Sequence, residues 1–193
     1  MEKVMERKNS WRTTSIIVGV LILAAYSVIG SGNPDARVIG MLLEAFSGLA
    51  VIAIGVLMFQ VLSMFDKKLS FWYMVLRLIE GGLLVVTGLL FLSQNTTMLN
   101  IYSGIHAGHG YIFAAAALIF NYLLYKTKLV PRWLSVFGIV ATTLLLVDNV
   151  LEATGMVSES MILKLPVFLS EIVLALWLIF KGFDQSALDE IQA

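Results

Sequence analysis

Six apolar stretches run along the chain, at about residues 14–29, 37–65, 70–92, 102–125, 133–152 and 163–183. A helix of about 20 residues, rising 1.5 Å per residue, crosses the roughly 30 Å hydrocarbon core of a bilayer. The pattern therefore predicts six transmembrane helices. The first is short; the second is long enough that it must tilt, kink or project. The breaks carry turn chemistry. Ser31-Gly32-Asn33-Pro34 predicts a turn, with Asp35 capping the second helix. Asp66-Lys67-Lys68 predicts a tight charged turn, and Ser93 to Thr97 a polar link. Lys126 to Pro131 predicts a basic turn with Pro131 opening helix five, and Gly155 to Ser160 a loop. Pro166 is expected in the first turn of helix six.

Composition agrees with the pattern. Of 193 residues, 59% are hydrophobic and 13% charged, where a soluble domain has about a quarter of its residues charged. Mean hydropathy is +0.90. The expected fold is all-α: a polytopic membrane helix bundle forming one domain over residues 1–193. The absence of cysteine excludes disulfides, iron–sulfur clusters and thiolate zinc sites. No basic patch with interleaved aromatics is present, so nucleic acid is not an expected partner. Lys3, Arg7, Lys8 and Arg12 precede the first apolar run, as in a signal peptide cleaved after Gly32, but the run is long for a signal core and is taken as a span.

Charge placement sets the orientation. With the N-terminus inside, the inner ends hold Lys3, Arg7, Lys8, Arg12, Lys67, Lys68, Lys126, Lys128, Arg132 and Lys181. The outer side holds only Arg37 and Lys164. Trp11, Trp72, Trp133 and Trp177 also fall near the inner interface, where amphipathic rings are favoured. Both termini are expected in the cytoplasm of a multi-pass protein.

Ionisable side chains within spans cost several kcal/mol when charged and need a proton, a partner or water. Rise per residue places Glu44, His106, His109, Asp148, Asn149 and Glu171 within roughly 11 Å of the outer surface, on four helices. It places Glu80 near the midplane, with Arg77 one turn further in. Helical spacing puts Glu44 on a stripe with Gly48, Val51 and Gly55, and Glu80 with Leu84, Thr87 and Gly88. It puts His106 with Gly110, Ala114, Ala117 and Asn121. It also aligns Ser135, Gly138, Thr142, Leu145, Asn149 and Glu152, with Asp148 at the edge. Small residues mark helix contacts in membranes, so these stripes are expected to face inward and gather the polar groups in the outer half.

Arg77 and Glu80, three apart, suit a structural ion pair along one helix. His106 and His109, also three apart, suit either structural hydrogen bonding or a zinc site completed by Asp148, Glu171 or Glu44. Haem on two histidines needs them on different helices, and retinal needs a lysine inside a span; Lys164 and Lys181 lie at span ends, so neither cofactor is expected. No phosphate loop or nucleophile motif is present.

The segment Asn121 to Ala141 (NYLLYKTKLVPRWLSVFGIVA), with Arg77-Leu-Ile-Glu80, His109-Gly-Tyr111 and Glu171 to Gly182 (EIVLALWLIFKG), resembles the prokaryotic membrane proteins of domain of unknown function 4386. The resemblance implies a compact bundle in a bacterial or archaeal plasma membrane, and implies no established activity. The residues leave three classes of function. A polar pocket could bind a proton, a cation or a small amphiphile for transport or sensing. A zinc site at His106, His109 and an acid could hydrolyse a lipid. The chain could instead be a structural subunit, packing against a membrane-protein partner or against copies of itself.

Overall fold

The computed structural model describes residues 2–31, 34–93, 95–156 and 161–190. Six long helices follow the six apolar stretches: α1 (Glu2–Ala25), α2 (Arg37–Leu62), α3 (Lys67–Phe91), α4 (Thr96–Thr127), α5 (Arg132–Ala153) and α6 (Met161–Phe180). Each has a segment long and apolar enough to cross a membrane. Among the described residues there is no strand. Large apolar side chains such as Leu42, Phe46, Leu49, Leu89, Val140 and Phe180 point outward. In water that surface would be a severe liability; against lipid tails it costs nothing.

The bounds differ from the expected ones where capping outweighs hydropathy. The longest helix is α4, not α2, at 32 residues. Its first turn is too polar to register as apolar sequence, but Asn95 caps it, its Oδ1 accepting from the Thr97 N–H at 2.8 Å. Asp35 does not cap α2: it sits in a 3-10 turn (Pro34–Ala36), and Ala36 is the N-cap without a side-chain bond. Asp66 does cap α3. Its Oδ1 accepts from the Leu69 N–H at 3.1 Å and its Oδ2 from Lys126 Nζ at 3.0 Å. Those contacts hold its carboxyl below the usual carboxylate range. Pro166 lies in the second turn of α6, since that helix already begins at Met161, so it removes an interior N–H donor there. Gly32 and Asn33 of the first expected turn, and residues 157–160 of the fifth, lie outside the described residues.

Each helix packs on the next in sequence, and α6 returns to α1, so the six close into a ring. One half of the ring is filled. Met58, Leu62, Tyr73, Phe120, Leu124 and Leu178 form its core, with the Tyr73 and Phe120 rings stacked at 5.1 Å. Asn121 keeps its place in this half because Gly138 on α5 has no side chain to displace it, and it donates to the Ala117 carbonyl at 2.9 Å.

The sequence-distant closure of α1 on α6 has a specific clasp. Arg12 donates to the last carbonyls of α6: Nη1 to Leu178 at 3.2 Å, and Nη2 to Ile179 at 2.7 Å and Phe180 at 3.1 Å. A cation at a helix C-terminus also complements the helix dipole. Gly182, at φ +79°, turns the chain away, and a Cβ there would lie 2.7 Å from Arg12 Nη1. The chain then folds back as α7 (Gln185–Glu190), a short helix absent from the hydropathy pattern. Ala187 and Leu188 of α7 enter the core, and the Asp184 N–H donates to the Leu129 carbonyl at 2.9 Å. Arg12→Ala is expected to cost about 1.5–3 kcal/mol, the usual range for hydrogen bonds to a charged group. Arg12→Lys should recover only part, because an ammonium cannot span three carbonyls. The denaturation midpoint in mixed micelles measures this, and an unchanged midpoint for Arg12→Ala would show that closure does not depend on the clasp.

Candidate functional site

The unfilled half of the ring is a cavity of about 1030 Å³ to which all six long helices contribute. Its walls are mostly apolar: Ile22, Val51, Ile54, Leu84, Leu145 and Val167 among them. Polar groups from several helices interrupt them. Arg77 and Glu80 come from α3, His106 and His109 from α4, Asn149 and Glu152 from α5, and Lys164 and Glu171 from α6. Tyr26, from a 3-10 turn that ends the first span, joins them.

The floor is organised by Arg77, which is 5% exposed. Its Nη1 donates to both oxygens of Glu80, at 3.1 and 2.9 Å, and its Nε to the Tyr73 hydroxyl at 3.3 Å. The guanidinium also lies over the rings of Tyr73 (5.5 Å) and Phe113 (5.6 Å). An arginine stripped of water is tolerable only with such partners, because desolvation of an unpaired charge exceeds what the remaining contacts return. The ion pair anticipated at i, i+3 is therefore present, and it forms part of the cavity floor.

Along α4 the side chains at Tyr102, His106 and His109 form a ladder. Tyr102 stacks on His106 at 5.4 Å, and His106 on His109 at 6.1 Å. His109 Nε2 reaches to 3.8 Å from Glu80 Oε1. Across the cavity, the Tyr26 hydroxyl donates to Glu171 Oε2 at 2.6 Å, and the Tyr26 ring meets Phe168 edge-on at 4.8 Å. At the rim, Lys164 Nζ lies 2.9 Å from Glu152 Oε1 and 3.8 Å from Asp148 Oδ2.

Of the residues anticipated from the sequence, Glu80, His106, His109, Asn149 and Glu171 line one cavity. Two members are set differently. Glu44 is fully buried behind the wall, where the Ser31 hydroxyl and the Tyr102 hydroxyl each donate to its Oε1 at 3.1 Å. Asp148 is fully buried too, and turns toward Lys164. The set His106, His109, Asp148 and Glu171 does not form a metal centre: His109 faces Glu80, Asp148 faces Lys164 and Glu171 faces Tyr26. Among the described residues no three His, Asp or Glu side chains converge as metal ligands.

Tyr26, Tyr102, Phe168 and Lys164 were not singled out as site residues from the sequence. A tyrosine in an apolar run looks like any interfacial aromatic. Only the carboxylates opposite them, contributed by other helices, give Tyr26 and Tyr102 a role.

These features define a class: a six-helix integral membrane protein whose ring encloses a cavity with an ionic floor. The chain belongs to the family described as Domain of unknown function (DUF4386), whose model matches residues 14–182. It is also similar to an "Uncharacterized protein" of Archaeoglobus fulgidus, 32% identical over 74 residues. That match covers 38% of this chain and 44% of the relative, so the chain spans less than half of the relative's length. No solved structure matches.

Proposed function

We propose that the protein lies in a bacterial or archaeal plasma membrane with both termini in the cytoplasm, and that its cavity, on the outer side, receives a small amphiphile in a transport or sensing role. The observation that carries the reading is the cavity itself, with about 1030 Å³ lined by all six helices. Ligand pockets typically occupy about 300–1,000 Å³ and combine apolar walls with a few placed polar groups. The orientation rests on lysine and arginine. The cavity end holds Arg37 and Lys164, and the filled end holds Lys67, Lys68, Lys126, Lys128, Arg132 and Lys181. A proton would also be accepted by the carboxyls of the floor, as a co-substrate or as the signal.

The direct test is to occupy the cavity from within. Ala107 lines it on α4, and Ala107→Trp places an indole in the space. N-phenyl-1-naphthylamine, an uncharged apolar fluorophore at neutral pH, should bind the wild type in lipid nanodiscs above the level of empty nanodiscs. Ala107→Trp should lower that specific signal about tenfold or more. Equal signals from wild type, variant and empty nanodiscs would remove the reading.

A further inference from the structure

We propose that the ligand of this cavity is an organic ammonium, a protonated amine on an apolar body, with its charge seated at Glu171 between Tyr26 and Phe168. The inference deepens the amphiphile reading and rests on it.

Charge stoichiometry is the first support. The floor holds one guanidinium and two carboxyls. Arg77 is engaged through Nη1 by both oxygens of Glu80. The direct partner of Glu171 is a neutral phenol, Tyr26. His109 faces Glu80, not Glu171. With Arg77 given to Glu80, the floor has room for one further positive charge, and Glu171 is where it fits. At the mouth the lining charges are balanced, Lys164 pairing with Glu152 at 2.9 Å. The unmatched carboxyl an entering cation can meet is therefore at the floor, where an anion would gain nothing.

The walls decide what kind of cation. A bare metal ion needs several oxygen ligands close together, as in the six or more typical of calcium. At Glu171 the structure offers its own carboxyl and one tyrosine hydroxyl. What it offers in addition is aromatic surface. The edge-to-face pair of Tyr26 and Phe168 stands beside the carboxyl, Phe168 one turn before Glu171 on α6. A carboxylate with aromatic rings nearby is the chemistry that recognises ammonium groups. The remaining volume, lined by Ile22, Ile54, Leu145 and Val167, suits a hydrocarbon body.

The test compares three probes of one chain length: n-octylamine, which is protonated at pH 7, n-octanol and octanoate. Each is titrated against the naphthylamine fluorophore on the whole protein in nanodiscs of zwitterionic lipid, with empty nanodiscs as background. Octylammonium should displace the fluorophore at roughly one tenth of the octanol concentration or less, a tenfold step being a modest charge interaction. Octanoate should be the weakest. Glu171→Gln should erase the advantage of the amine over octanol. Phe168→Leu, which keeps the carboxyl, should reduce the advantage severalfold and serves if Glu171→Gln does not fold. Displacement by octanol and octylamine at equal concentrations overturns the inference and leaves the cavity reading intact. So does an amine advantage that survives both substitutions. A fluorophore that never binds above background overturns both.

Discussion

Replacing Arg77 with alanine should destabilise the bundle by about 3–5 kcal/mol, the cost of stripping one partner from a buried ion pair. Arg77 and Glu80 are 5% and 1% exposed. Without the guanidinium, Glu80 loses the hydrogen bonds to both of its oxygens and is left facing the His109 ring at 3.8 Å. Glu80→Gln should cost less, because Arg77 then retains Tyr73, the faces of two rings and the amide oxygen of the new side chain as an acceptor. The double substitution Arg77→Met, Glu80→Leu removes both charges and fills similar volume, and should return most of the loss in stability. The two single substitutions and the double form a cycle whose coupling energy isolates the pair. Reversible unfolding in mixed micelles would measure it. If Arg77→Ala costs less than about 1 kcal/mol, the value of an ordinary exposed ion pair, then water hydrates the floor fully and the pair gives no rigidity to the site.

The same ion pair marks how far sequence reasoning reaches. Six spans were legible because hydropathy over about 20 residues leaves little choice of structure. The inward stripes were legible because small residues and polar residues share a helical period: Gly48, Val51 and Gly55 lie buried with Glu44, and Gly138 and Thr142 with Asp148. Partner choice was not legible. Each ionisable residue had several candidates at the same depth, and which one it met depended on the rotation of helices far apart in sequence. Glu44 met Tyr102 across the α2–α4 gap, and Glu171 met Tyr26 because α6 returns to α1. The sequence-level zinc set took spacing on one helix as its guide. His106 and His109 do share a face, but their rings stack in file, and His109 ends against a carboxylate already bound by Arg77. Hydropathy also missed α7, whose apolar content is two residues buried at the foot of the ring.

Two neighbouring glycines on α3 should respond to substitution with opposite signs. Helices α2 and α3 make the most extensive contact in the ring, and they touch backbone to backbone at Gly48 and Gly81. A Cβ built on Gly48 would lie 2.5 Å from the Gly81 carbonyl oxygen, and one built on Gly81 would clash with the Gly48 carbonyl oxygen and lie 2.6 Å from Ile52 Cγ1. Backbone oxygens cannot rotate aside as a side chain can, so Gly81→Ala must push the helices apart. That displacement also shifts Glu80, one residue earlier, on the cavity floor. Overpacking of this kind costs about 1–3 kcal/mol even for a single methyl, and within a membrane no hydrophobic gain compensates the lost contact. Gly82, the next residue, has nothing within 4 Å of its own Cβ position. There the added methyl only restricts the unfolded backbone and improves helix propensity, so Gly82→Ala should be neutral or stabilising by up to about 1 kcal/mol. Denaturation midpoints of the two variants therefore move in opposite directions, or one moves and the other stands still. Equal losses at both positions would mean that helix propensity, not the close approach of α2 and α3, governs this face. A loss at Gly82 alone would mean that α3 is rotated by about 100°, the angle between successive residues at 3.6 per turn. Glu80 would then no longer face the cavity.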